Sequence, residues 1–176
     1  SDDDAIRESL DFLLGQSIEA LVVLAPHVSV YDAIRDAAIA VPFVILEATG
    51  IETGRGLSVD QTSGARLAVR HLIELGHRDI LHLAGPADWL EAQARLEGYR
   101  GELADAGLAA LPEIAGDWTA DSGYLAGREV LPSRNFSAVF CGNDQMALGF
   151  LHACRELGVD VPSALSVVGF DDTPES

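Results

Sequence analysis

Two rhythms of apolar positions run along this chain. In Asp4–Leu14, the residues Ile6, Leu10, Phe12, Leu13 and Leu14 recur at helical spacing and predict an amphipathic helix. "IEALVVLA" and "PFVILE" are continuous apolar runs without polar alternation, so each predicts a buried strand, with a helix around Val30–Ala40 between them. After the loop "ATGIETGRG" comes "LSVD", then a helix from about Gln61 to Leu75 that stops at Gly76. "DILHLAGP" predicts a strand and Trp89–Ala106 a helix closed by Gly107. The remainder reads as strand "PEIAGDW", helix Ala120–Leu131, strand "SAVFCGN", helix Gln145–Leu157 and strand "LSVVGFDD".

Strands that alternate with helices and are apolar throughout predict an α/β fold, a parallel sheet covered on both faces. Ligands of such sheets bind just beyond the carboxyl ends of the strands. The residues expected there are Trp89 after "DILHLAGP", Trp118 at the end of "PEIAGDW", Asn143-Asp144 after "SAVFCG" and Asp171-Asp172 after "LSVVGF". Gln61, Thr62 and Ser63 follow "LSVD", and Arg95 lies one or two turns into the helix that starts near Trp89. Flat rings stack on the C–H faces of a sugar, while Asp, Asn and Arg share hydrogen bonds among adjacent hydroxyls, so this set suits a small polyhydroxylated ligand. Each member also has a plainer role. Asn143 serves equally as a helix N-cap, Asp171-Asp172 as a turn, Arg95 as a partner of Glu91, and the tryptophans as core. His77, just past Gly76, is expected at a helix carboxyl end.

Composition narrows the field. The 176 residues suit one domain or two small lobes, and 48% hydrophobic content supports a packed core. Eleven basic residues against 28 acidic ones leave a net charge of -17, which argues against nucleic-acid binding by these residues themselves. No apolar run is long enough to span a bilayer, and "SDDDAIRESL" lacks the basic-then-apolar order of a signal peptide. Cys141 and Cys154 read as buried free thiols in a reducing compartment, hence a cytoplasmic location. No Cys-x-x-Cys or close His/Cys set predicts a metal, and no cofactor is expected. "TGRGLS" leads into a strand rather than a helix, so it is not a dinucleotide fingerprint. No nucleophile elbow or pair of carboxylates astride a bond is evident, and catalysis is not expected.

"VDQTSGARLAVRHLIELGHRDILHLAGP", "RLEGYRGEL", "GDWTADSGY", "GNDQMALG" and "SVVGFDDT" stand in order and together resemble the effector-binding core of LacI/GalR (lactose-repressor-type) transcription factors. The resemblance covers nearly the whole chain. It implies a periplasmic-binding-protein-like fold of two α/β lobes with the effector between them, the first lobe at 1–76 and the second at 77–176. It further implies that the first lobe is incomplete here, and that the helix-turn-helix through which such proteins bind operator DNA lies outside this chain. Carried over by position, the effector contacts are Arg95, Trp118, Asn143 and Asp171. Trp89 and Ser63 are weaker candidates, since Trp89 and Glu91 stand where the family pattern has small hydroxyl residues and Ser63 where it has a carboxylate. The helix Gln145–Leu157, with Met146, Phe150, Leu151, Cys154 and Leu157 apolar, is the candidate face of a homodimer. The resulting expectation is a sugar-responsive core of a bacterial repressor, with a transporter's extracytoplasmic sugar-binding protein as the alternative.

Overall fold

A computed structural model of the chain describes residues 2–24, 27–35, 37, 39–46 and 55–174. Its elements are α1 (Asp2–Leu14), β1 (Leu21–Leu24), α2 (Val28–Arg35), β2 (Phe43–Leu46), β3 (Gly56–Leu57), α3 (Gln61–Glu74), β4 (Ile80–Ala84), α4 (Leu90–Asp105), β5 (Ile114–Ala115), α5 (Ala120–Val130), a 3-10 turn (Leu131–Ser133), β6 (Ala138–Cys141), α6 (Asp144–Glu156) and β7 (Ser166–Val168). Among the described residues strands and helices alternate as the apolar pattern predicts, except that β3 follows β2. Most of the loop expected after β2 falls at 47–54, outside the described residues. No described helix is long and apolar enough to cross a membrane.

Contacts group the chain into two compact units, Ser1–Asp60 with Asp88–Glu91, and Gln61–Ala87 with Ala92–Ser176. This differs from the division expected at Gly76. The reason is packing: Ala65, Val69 and Leu72 of α3 are buried in one cluster with Ile80, Tyr99, Leu103 and Phe140 of the second unit.

In the first unit, β1, β2 and β3 form a parallel sheet in that order, with Leu21 opposite Phe43 and Leu46 opposite Leu57. Ile34 of α2 and Ile45 of β2 are the buried centre of its core. Two expectations need correction here. Val22 and Leu24 of β1 are 59% and 61% exposed, so this strand is not covered on both faces among the described residues. On α1, Leu10 is buried but Phe12 is 66% exposed, because a residue two positions on lies about 200° round a helix.

The second unit holds a four-stranded parallel sheet, order β5-β4-β6-β7. Every residue of β4 and β6 is buried, as a strand between two helical layers requires. Alternation sorts their side chains: Ile80, Ala138 and Phe140 join α3 and α4, while Leu81, Leu83, Val139 and Cys141 join α5 and α6. Helices α5 and α6 pack with their backbones nearly touching, and a Cβ on Gly149 would stand 1.8 Å from the Ala120 carbonyl oxygen. That close approach sets the start of α5 beside the start of α6.

Candidate functional site

From β4 the chain crosses to β5 on one side of the sheet and then to β6 on the other. The carboxyl ends of β4 and β6 therefore flank the point where strand order reverses, the usual ligand position in open α/β sheets. Backbone hydrogen bonds continue past both strands: Gly142 N–H donates to Leu83 O and Gly116 N–H to Ala84 O, each at 2.7 Å. On the other layer, α3 and α4 approach closely at Gly98, where a Cβ would lie 2.4 Å from the Thr62 carbonyl oxygen. This brings Gln61, at the start of α3, to Arg95 on α4.

Arg95 is the hub, only 7% exposed. Its Nε donates to Gln61 Oε1 at 2.9 Å, its Nη1 donates to Gly142 O, and its Nη2 stands 3.2 Å from Asp171 Oδ1. The Phe170 ring lies 3.9 Å from the guanidinium carbon and the Trp118 ring 5.5 Å from it, both in cation–π range. Asn143 N-caps α6, its Oδ1 accepting from Met146 N–H at 2.9 Å, while its Nδ2 donates to Trp118 O at 3.0 Å. Trp118 itself adopts φ +73, a left-handed conformation uncommon for a bulky residue. Its indole lies against Gly85, where a Cβ would be 2.1 Å from the ring. Below it, Asp117 Oδ1 accepts from the Thr119 hydroxyl and amide, which hold the Asp117 carboxyl below its ordinary range.

Asp171 lies in a loop anchored at both ends by one residue. Asp144 N–H donates to Phe170 O at 2.9 Å, and Asp144 Oδ2 accepts from Thr173 N–H at 2.8 Å. Between these anchors Asp171 and Asp172 take φ +103 and +60, a costly pair of conformations without glycine. Partial burial pushes the Asp171 carboxyl above its ordinary value, against the opposing pull of Arg95, and nearby Asp144 adds to the rise. Asp144 and Gln61 stand among the expected strand-end residues but not among the effector contacts that the resemblance implies. Both are buried and both position the site's members.

The structure thus brings Arg95, Trp118, Asn143 and Asp171 together in the second unit. The weaker candidates are placed otherwise. Ser63 is exposed on the first turn of α3. Trp89 belongs to the first unit, its ring edge-on to His27 at 4.7 Å. His77 does not serve a helix end through its side chain. Its Nδ1 lies 2.8 Å from Ser137 Oγ and its Nε2 2.9 Å from Ser166 Oγ, so it joins the entries to β6 and β7.

Cys141 and Cys154 are free and buried, and burial raises both thiols above their ordinary range. Among the described residues no group of three or more His, Cys, Asp or Glu could hold a metal ion. The apolar face of α6 is largely used within its own unit. Met146, Phe150 and Cys154 are buried against α5 and the sheet, which leaves Leu157, 40% exposed, and half-buried Leu151. A hollow of about 450 Å³ in the first unit, lined by Ile6, Leu10, Leu13, Val23 and Ile34 among others, lacks comparable polar groups.

A parallel α/β unit with converging amide, guanidinium, carboxylate and indole groups at its switch point is the layout of a ligand-binding module of periplasmic-binding-protein type. Residues 69–176 match the family described as periplasmic binding protein-like domain, and the chain belongs to that family, within which its relatives are LacI/GalR-type regulators. It is similar to the lactose operon repressor of Escherichia coli (strain K12), 34% identical over 176 residues, with 98% of this chain and 49% of the repressor covered. Among solved structures, a Lac repressor dimer bound to operator and the anti-inducer ONPF superposes with a TM-score of 0.88 at 33% identity, covering 100% of this chain and 62% of that one. A complex of the transcriptional regulator CelR with cellobiose gives 0.82 at 35% identity, with 95% and 53% covered. The chain therefore spans about half the length of that curated repressor.

Proposed function

We propose that this chain is the sugar-responsive ligand-binding and dimerisation core of a bacterial LacI-family transcriptional repressor. One observation carries the reading: Arg95, Asp171, Asn143 and Trp118 converge at the switch point of a parallel sheet. A sugar hydroxyl that donates to Asp171 and accepts from Arg95 gains two charge-assisted hydrogen bonds, and the indole offers a flat face for the ring. The kinship supports the same view, since a Lac repressor is described with operator and anti-inducer, and CelR with cellobiose.

The module is non-catalytic and works in the cytoplasm as a homodimer. Operator contact belongs to the part of the relatives' length that this chain does not span. Effector binding biases one of two conformations by its difference in affinity for them, and operator affinity follows. The regulators among the relatives favour this over a transporter's binding protein.

The test is titration calorimetry of the full-length protein with a panel of mono- and disaccharides, followed by operator gel shifts with any sugar that binds. Binding that is lost in Arg95→Ala and Asp171→Ala, and that changes operator affinity in the wild type, supports the reading. A bound sugar that both variants retain, or that leaves operator affinity unchanged, overturns it.

A further inference from the structure

All eleven basic residues of this chain are arginine, set against 28 carboxylates. In the second unit many of them are already engaged. Arg66 and Arg70 hold Glu102, Arg100 holds Glu113, and Arg128 holds Glu156. Arg95 follows the same rule at the site, with Asp171 3.2 Å from its Nη2 and the rings of Phe170 and Trp118 beside the guanidinium. Asp144, only 6% exposed, adds a second carboxylate behind that pair. Arg95, Asp171 and Asp144 together sum to one negative charge.

At α5 and α6, part of the usual seat for an anion is taken from within. Helix amino termini ordinarily receive phosphates because their first amides point outward. At α6, Asn143 Oδ1 takes the Met146 amide at 2.9 Å, and the Asp144 amide is given to Phe170 O at 2.9 Å. At α5, Thr119 Oγ1 takes the Ser122 amide at 3.2 Å, and Asp117 takes that of Thr119 at 3.0 Å. At these two helix starts the Ser122, Met146 and Asp144 amides are thus already given to the chain's own acceptors.

These arrangements separate two ligand chemistries. A hydroxyl both donates and accepts, so it can bridge Asp171 and Arg95 without disturbing their charge balance. A phosphate or carboxylate offers acceptors to a cation that is already neutralised. It also meets Asp171 and Asp144 as like charges in a protein whose net charge is -17. We infer that this site takes an uncharged polyhydroxylated ligand and rejects the phosphorylated or acidic form of the same sugar. The inference rests on the effector-site reading above and adds the charge class of the effector to it.

The experiment titrates the full-length protein with matched probes: glucose and glucose 6-phosphate, galactose and galactose 6-phosphate, glucose and glucuronate. The uncharged member of any binding pair is expected to bind at least tenfold more tightly than its anionic partner. Asp171→Asn, which tolerates the positive φ, releases the Arg95 charge and is expected to narrow that ratio at least tenfold. It is also expected to bind inorganic phosphate more tightly than the wild type does. An anionic member that binds as tightly as its neutral partner, or an unchanged ratio in Asp171→Asn, overturns the inference while the effector-site reading stands. If no member of any pair binds, while the wider sugar panel also fails, both fall together.

Discussion

Asn143 donates from Nδ2 to the backbone carbonyl of Trp118 at 3.0 Å, so the cap of α6 also ties down the turn that precedes α5. The two tasks separate by substitution. Asn143→Asp keeps an acceptor for Met146 N–H but sets an oxygen against the Trp118 carbonyl. It is expected to retain most of the helix-cap stability and lose at least tenfold in effector affinity. Asn143→Ala loses both contacts, with about 0.5–2 kcal/mol lost from the cap alone. Thermal unfolding beside calorimetric titration checks the order. Equal affinity in wild type and Asn143→Asp would show that the link to Trp118 does not matter.

Gly85 has a different relation to the same tryptophan. A methyl group there would come within 2.1 Å of the indole, with Gly85 just past the end of β4 and Trp118 in the turn between β5 and α5. Gly85→Ala is expected to lower stability by about 1–3 kcal/mol through overpacking and to weaken effector binding. In a Trp118→Ala background the same change is expected to cost much less, a non-additivity that a double-mutant cycle measures.

His82 makes a prediction about acid. It is fully buried, stacked between Tyr99 and Phe140, with Nδ1 donating to Phe140 O at 2.9 Å. Burial lowers its pKa to about 4 from an ordinary 6.5. A depressed folded pKa means that the unfolded chain takes the proton first. The stability His82 contributes is therefore complete above about pH 6.5 and lost as pH falls through that window towards 4, on the order of 3 kcal/mol. In denaturant titrations from pH 7 to 4, His82→Phe is expected to show a shallower fall than wild type. Parallel curves would be the contrary result.

Leu125 on α5 is 65% exposed and Leu157 at the end of α6 is 40% exposed. They stand on the exposed surface of the α5–α6 pair, whose side chains Tyr124 and Glu156 meet at 2.5 Å. If the proposed homodimer uses it, the double variant Leu125→Glu/Leu157→Glu is expected to sediment as a monomer, with the effector affinity of each subunit retained. A dimer that withstands both charges would move the interface elsewhere.

The elements were legible because their cause is local. β4 and β6 are apolar apart from His82 and are buried on both faces, and the caps and glycines that end the helices act within a turn. What composition could not supply was the number of layers over a strand. "LVVL" in β1 looks as buried as "ILHLA" in β4, yet alternate residues of β1 are exposed. The site was half legible. The strand-end rule and the family resemblance pointed to Arg95, Trp118, Asn143 and Asp171, which the fold does gather. The supports were hidden because their partners are distant in sequence: Asp144 anchors Thr173 29 residues on, Gln61 meets Arg95 34 residues on, and His77 reaches Ser166 89 residues on. Trp118 was read as the end of a strand, whereas β5 stops at Ala115 and the turn beyond it carries the positive φ.

The chain has two tryptophans, and they fall in different units, Trp89 beside His27 in the first and Trp118 beside Arg95 in the second. Each unit thus carries its own intrinsic fluorophore. Variants that keep only one of them would let emission report on either unit separately, with no label added.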